Sequence, residues 1–349
     1  MIRPKAVFRM AISMVAFAVC GTLASRAAEA PPYYAGKTIT FSTHTGPGGE
    51  YDTYLRLMSQ FMGKYIPGNP NIVVLNQPGA GGLLAVNYAA KRAPQDGTFG
   101  TLVANGLLLF QALGQPGLEV SLGDFKWIGN FSAANGITVA MDTSGVKTIE
   151  EAKQKPVIIG STGAGSISGL LPEVYNALVG TKFKVVYGYE GTSQMVLAMR
   201  RGEIQGRSGA PWHDYLAEFP DEVKAGKLVA LSQIGTARDP RLPNAPLLTE
   251  LVKGDPQKEA AAVFVSLALA QTRSLAFPPG VPDAQVNILR KAFDQVIRDP
   301  EFVALAEKDG IDLDPVSGAE VQAAVEQVMT TPKASVALVQ SLLNLSGNK

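Results

Sequence analysis

From Lys37 onward the apolar residues change spacing at short intervals. In KTITFST, Ile39 and Phe41 share one face of an extended segment. In EYDTYLRLMSQFMGKYI, residues 50–66, Tyr51, Tyr54, Leu55, Met58, Phe61 and Met62 recur at helical intervals. PGNP breaks the chain, NIVVLN reads as a strand and PGAGG as a turn. LLAVNYAAKRA follows as a helix and FGTLVAN as a strand. This β-α-β-α-β order predicts a parallel sheet with right-handed crossovers.

The alternation resumes after Gly136. ITVAMD, PVIIGST, FKVVYGYEG, IQGRSG and KLVALSQIG read as strands, as does SLALAQTRSLAFPP, residues 266–279. TIEEAKQK, ISGLLPEVYNALVG and SQMVLAMRRGE between them read as helices. The end of the chain is helical, in DAQVNILRKAFDQVIRD, PEFVALAEKDG and the stretch from Gly318. There is no short fixed repeat, but two βα units each carry a glycine-rich loop, at Gly46–Gly49 and Gly163–Gly165. Two α/β lobes with those loops facing each other would hold a ligand between them, beyond the carboxyl ends of the strands.

The first residues differ from the rest. MIRPKAVFR carries three cations and no acid, MAISMVAFAVCGTLA is apolar but short for a bilayer span, and small residues follow in ASRAAEA. That order predicts a secretory signal over residues 1–27. Cys20, the single cysteine, lies inside it and follows Val19, so no lipid anchor is expected. The remaining chain has neither a disulfide nor a thiolate ligand or nucleophile. All 349 residues together carry a net charge of +1; without residues 1–27 the balance is −3. No field of either sign is available to gather nucleic acid. With 46% apolar and 17% charged residues, the chain can bury two cores.

Chemistry is concentrated in the loops. THTGPGGE, residues 43–50, presents Thr43, His44 and Thr45, then Gly48 and Gly49, at a helix start. Backbone N–H groups and the helix dipole there suit a carboxylate. Asp52, one turn in, either orders the loop or faces a ligand donor. NQPGAGG, with Gly81, is a second turn of the same kind, and Asn105 ends a strand. GSTGAGSISG sets Thr162, Gly163, Ala164, Gly165 and Ser166 before a helix. Ser168 stands where a dinucleotide fingerprint needs glycine, the Gly-Lys-Ser/Thr ending of a nucleotide loop is missing, and G-x-S-x-G fails at both serines. Beyond the signal only His44 and His213 occur, so a histidine-rich zinc site is excluded. A secreted α/β hydrolase using a serine and His44 is the alternative reading. Arg207, beside Ser208 in an apolar-flanked strand, either grips a carboxylate or pairs with an acid such as Glu190 or Asp214. Tyr51, Tyr54, Tyr189 and Trp212 add flat surfaces.

In order and spacing these segments resemble the Bug family, the TctC-type substrate-binding proteins of tripartite tricarboxylate transporters. The resemblance rests on GPGGEYDTYLR, with Asp52 and Arg56, on NQPGAGG, AAKRAPQDGTFGTLVANG and STGAGSISG, on YGYEGTSQMVLAMRRGEIQG, and on ALSQIGTARDPRLPNAPLLTEL and LAFPPGVPDAQVNILRKAF. It implies a two-lobed periplasmic-binding-protein fold of the type II, Venus-flytrap kind. Each lobe would be a mixed, mostly parallel sheet flanked by helices, lobe 1 being 28–136 plus 273–349 and lobe 2 being 137–272. It implies a periplasmic, monomeric receptor without cofactor or enzymatic activity. Such a receptor captures a di- or tricarboxylate, amino acid or aromatic acid for tripartite-type membrane permease subunits. Thr43-His44-Thr45, Tyr189-Glu190 and Arg207 depart from the family pattern at the expected ligand site.

Overall fold

The computed structural model describes residues 31–163, 166–270 and 273–342; the expected signal segment lies outside them, as do Ala164 and Gly165. The first run of strands comprises β1 (Thr38–Thr43), β2 (Asn71–Asn76), β3 (Phe99–Ala104) and β4 (Lys126–Asn130). A second run follows with β5 (Gly136–Met141), β6 (Val157–Ser161), β7 (Phe183–Tyr187), β8 (Gly206–Ala210) and β9 (Leu228–Ile234). β10 (Arg273–Phe277) and β11 (Val316–Ser317) complete the set. They form two sheets, β11-β4-β10-β3-β1-β2 and β7-β6-β8-β5-β9. β1 is parallel to β2 and β3, whereas β10 runs antiparallel between β3 and β4. In the second sheet β6 is parallel to β7 and β8, and β5 runs against β8 and β9. Both sheets are mixed, and most strands in each share one direction. The fold is the two-lobed α/β arrangement.

Register decides which residues reach the rim. Thr43 lies opposite Asn76 and Leu102, and Arg273 opposite Ala104, with Ser274 opposite Asn130. The carboxyl ends of β1, β2, β3 and β4 and the amino end of β10 therefore share one edge of the first sheet.

The helices cover the sheets through ordinary amphipathic burial. Helix Glu50–Phe61 turns Leu55, Leu57 and Met58 inward, and these join Phe41, Phe131, Phe277 and Phe293 in one core of the first sheet. A second core is continuous between the sheets. It runs from Leu107, Leu109 and Val325 through helix Pro256–Leu269 to Ile159, Leu171 and Tyr175. That helix starts cleanly because Asp255 accepts hydrogen bonds from the Gln257 and Lys258 N–H groups and Pro256 takes the first position. It corrects one expectation. Residues Ser266–Leu269 are the end of this helix and not strand, while Arg273–Phe277 form β10. β4, whose KWIGN has no clear period, was not foreseen by the pattern.

Candidate functional site

The opening loop is held from within. Asp52 is fully buried and accepts hydrogen bonds from the Gly48 N–H (2.8 Å), Arg56 Nε (2.7 Å) and Asn76 Nδ2 (2.8 Å). Asn76 Nδ2 also reaches the Thr45 carbonyl at 2.8 Å, and Thr45 Oγ1 accepts from the Asp52 N–H at 3.2 Å. The Thr43 and Thr45 hydroxyls lie 3.1 Å apart, and the Gly49 N–H donates to the Gly46 carbonyl. Burial alone would raise the Asp52 carboxyl, but its donors outweigh that and hold it below the usual carboxylate range. Of the two roles open to Asp52, the geometry gives loop ordering. The Gly48 and Gly49 N–H groups, expected as ligand donors, are committed inside the loop.

Asp52→Ala is accordingly expected to lower unfolding stability by about 2 kcal/mol, because Gly48 and Asn76 lose a charged acceptor. Urea melts check this, and an unchanged midpoint would remove Asp52 from the loop's support.

His44 sits at the meeting of three segments. Its ring packs edge-on to Tyr51, centroids 4.4 Å apart, and the Tyr51 hydroxyl accepts from the Asn105 N–H at 3.3 Å. Gly82, next to Gly81 in the second glycine turn, closes over it. With φ +99°, Gly82 adopts the left-handed region, and a Cβ there would lie 2.8 Å from the Ala104 Cβ and 3.5 Å from the His44 Cβ. Burial pushes the His44 imidazole down to about 4, so the ring is neutral at neutral pH, and its Nδ1 has no hydrogen-bond partner among the described residues.

On the second sheet the middle loop follows the same plan. The Thr162 N–H donates to Ser168 Oγ at 3.2 Å and the Gly163 N–H to Ser161 Oγ at 3.1 Å. Ser166 Oγ donates to the Gly163 carbonyl at 2.7 Å and lies 2.7 Å from Ser168 Oγ. The Tyr189 N–H donates to the Ser161 carbonyl at 3.2 Å, which ties the next loop to this one. These hydroxyls can rotate to donate elsewhere.

Arg207 and Ser208 are both 2% exposed on β8. Ser208 Oγ is 2.6 Å from Thr138 Oγ1. Arg207 Nη1 is 2.8 Å from Glu218 Oε2, with the guanidinium 4.7 Å from the Tyr215 ring centre. The arginine thus pairs with an acid, though with Glu218 and not with Glu190 or Asp214. Burial holds the Glu218 carboxyl above its usual range, against the pull of Arg207.

Sequence reasoning missed a charged group at the rim. Arg273, 2% exposed at the start of β10, meets Glu50 through Nη2 and stands 5.0 Å from the Tyr54 ring centre. The signal was the one used for Arg207, a lone cation in an apolar strand. A second omission joins the two sheets. His213, on helix Trp212–Glu218, is 2.8 Å from Asp214 and 3.3 Å from Asp312, which follows helix Pro300–Lys308 of the first sheet. The Tyr54 hydroxyl donates to the Asp312 carbonyl at 2.7 Å.

Two facing α/β lobes, each with a glycine-containing loop beyond its strand ends, define the class of two-lobed binding proteins. The chain belongs to the TctC family, tripartite tricarboxylate transporter family receptors, whose model matches residues 56–342. It is 28% identical over 256 residues, 70% of each chain, to a UPF0065 protein in the TAR-I ttuE-ttuC' intergenic region of Agrobacterium vitis. Its fold resembles a TctC solute-binding protein from Polaromonas solved without ligand (TM-score 0.63, 21% identity, 89% of this chain and 99% of that one). It also resembles MatC from Rhodopseudomonas palustris with bound malate (TM-score 0.64, 20% identity, 87% and 99%). No helix among the described residues is long and apolar enough to cross a membrane.

Proposed function

We propose that this receptor is periplasmic and captures a small carboxylate in the cleft between its lobes, as a monomer, for tripartite-type membrane permease subunits. The observation that carries the reading is the gathering of hydroxyl- and amide-rich loops at the carboxyl ends of strands in both sheets. Thr43, His44, Thr45, Gly81 and Asn105 would contribute from one side, and Thr162 to Ser166, Tyr189 and Ser208 from the other. Gly48, Gly49 and Asp52 would hold the opening loop in shape. We set the lobe limits at 28–136 plus 273–349 and at 137–272, a reading supported by the pairing of β1–β4 with β10 and β11 in one sheet and of β5–β9 in the other. Malate in the MatC structure supports a carboxylate ligand.

The hydrolase alternative has less behind it. His44 packs on Tyr51 and His213 pairs with two carboxylates, while the serines of the middle loop bond one another. A nucleophile needs a base within hydrogen-bond reach.

A thermal-shift screen of unfolded and refolded protein against aliphatic, tricarboxylic, amino and aromatic acids tests the proposal. A ligand at a hundred times its Kd adds about 2.7 kcal/mol to stability. At roughly 2–4 °C per kcal/mol the melting point should rise by several degrees. No shift with any acid would sink the carboxylate reading.

A further inference from the structure

Arg273 is buried at the rim of the first sheet and only partly served. Its backbone is fixed between neighbours: the N–H donates to Asn130 Oδ1 at 3.1 Å and the carbonyl accepts from the Phe131 N–H at 3.1 Å. The guanidinium is therefore delivered by the sheet, not by a flexible loop. Nη2 meets Glu50, while Nε and Nη1 are shielded from solvent without a hydrogen-bond partner among the described residues. An arginine carries five N–H donors in a fixed fork, so most of this one's capacity is unused. Leaving a buried cation so poorly matched is costly, and a carboxylate is the group whose two oxygens fit that fork.

The surroundings point the same way. Glu50 and Tyr54 are one helical turn apart at the start of the helix that leaves the opening loop, and both meet the guanidinium. Tyr51, between them, touches His44 and the Asn105 N–H. Arg273 thus lies in the same gathering of segments as the proposed ligand loops. Glu50 is the loosest member. It is the first residue of its helix and its side chain is 37% exposed, against 2% for Arg273. The field of Asp312 reaches the guanidinium and opposes the effect of its burial. Burial draws the Arg273 guanidinium down to about 10, which leaves it charged at neutral pH.

We propose that Arg273 is the specificity-determining cation of the cleft, and that Glu50 holds, in the ligand-free chain, the place taken by one carboxylate of a small dicarboxylate. The inference rests on the carboxylate-receptor reading and sharpens it. The loops grip one end of the ligand through neutral hydroxyl and amide donors, and Arg273 takes the other end as an ion pair. A monocarboxylate of equal length would leave Glu50 on Arg273 and forgo that pair. Glu50 then acts as an internal competitor that keeps the buried cation partnered until a ligand with a second negative end arrives.

The test is calorimetric titration of wild type, Glu50→Gln and Arg273→Gln with C4–C6 dicarboxylates and with monocarboxylates of matched length. Wild type should prefer at least one dicarboxylate over its match. Glu50→Gln removes the competing charge but keeps an acceptor for the guanidinium, and should tighten that dicarboxylate by about tenfold while hardly changing the monocarboxylate. Arg273→Gln should erase the preference, a loss of about tenfold or more. Should Arg273→Gln not fold, Glu50→Gln decides alone, its residue being partly exposed. A Glu50→Gln affinity that is unchanged or weaker overturns the proposal, as does a preference that survives Arg273→Gln. Binding of carboxylates by wild type with neither variant altered defeats this inference alone. Absence of carboxylate binding by wild type defeats the receptor reading with it.

Discussion

Replacing Arg207 with alanine is expected to lower the unfolding free energy by about 3–5 kcal/mol, the usual loss when one partner of a buried ion pair is removed. Arg207 is 2% exposed and Glu218 21%, with 2.8 Å between Nη1 and Oε2. Without the guanidinium, Glu218 stays largely buried with only the weaker field of His213 in its favour, against the repulsive field of Asp214. Part of the loss is also packing, because the guanidinium covers the Tyr215 ring. Combining Arg207→Ala with Glu218→Gln should recover a substantial share, since the stranded charge is then gone. Urea unfolding of the three variants measures this. A drop below about 1 kcal/mol for Arg207→Ala, together with lost carboxylate affinity, would instead place the arginine on the ligand.

The two arginines also show how far the sequence could be read. Each stands in a short apolar strand, and the pattern alone cannot say which way its side chain points or what waits there. Arg207 meets Glu218, eleven residues on and across a turn, whereas Arg273 meets Glu50 from the opposite end of the chain. Such pairings are set by sheet order, which brings β10 between β3 and β4. The opening β-α-β-α-β was legible because its strands and helices differ sharply in period. Helix Pro256–Leu269 was not, because helices of both lobes pack on it and its outer face also carries apolar residues, Ala260 and the 48% exposed Val263. A helix with apolar residues all round loses its 3.6-residue stripe, and its SLALA end then imitates the alternation of a strand. The opening glycine loop was placed correctly as a loop. Its internal accounting was not readable, since whether the Gly48 N–H faces outward depends on Asp52 accepting from Asn76 and Arg56 as well.

The contact between His213 and Asp312 gives the second large expected effect, a pH-dependent link between the lobes. Burial alone would lower the His213 imidazole, but Asp214 on its own helix and Asp312 from the other lobe outweigh that and push it up to about 9. A folded pKa above the unfolded value of about 6.5 stabilises the protein fully below pH 6.5, and that contribution fades as pH rises through about 9. A shift of that size corresponds to roughly 3 kcal/mol at about 1.4 kcal/mol per pH unit, which solvent at the cleft edge trims to roughly 2 kcal/mol. Unfolding of wild type and His213→Gln at pH 6 and pH 9.5 isolates it: the stability gap should be about 2 kcal/mol at the lower pH and close to zero at the higher. A gap independent of pH would mean that His213 is not held charged by the two carboxylates. Because one carboxylate belongs to each lobe, protonated His213 also favours the approach of helix Trp212–Glu218 to Asp312. Ligand affinity should then fall in parallel with the stability gap as pH rises, since a closed cleft is the form that holds a ligand from both sides.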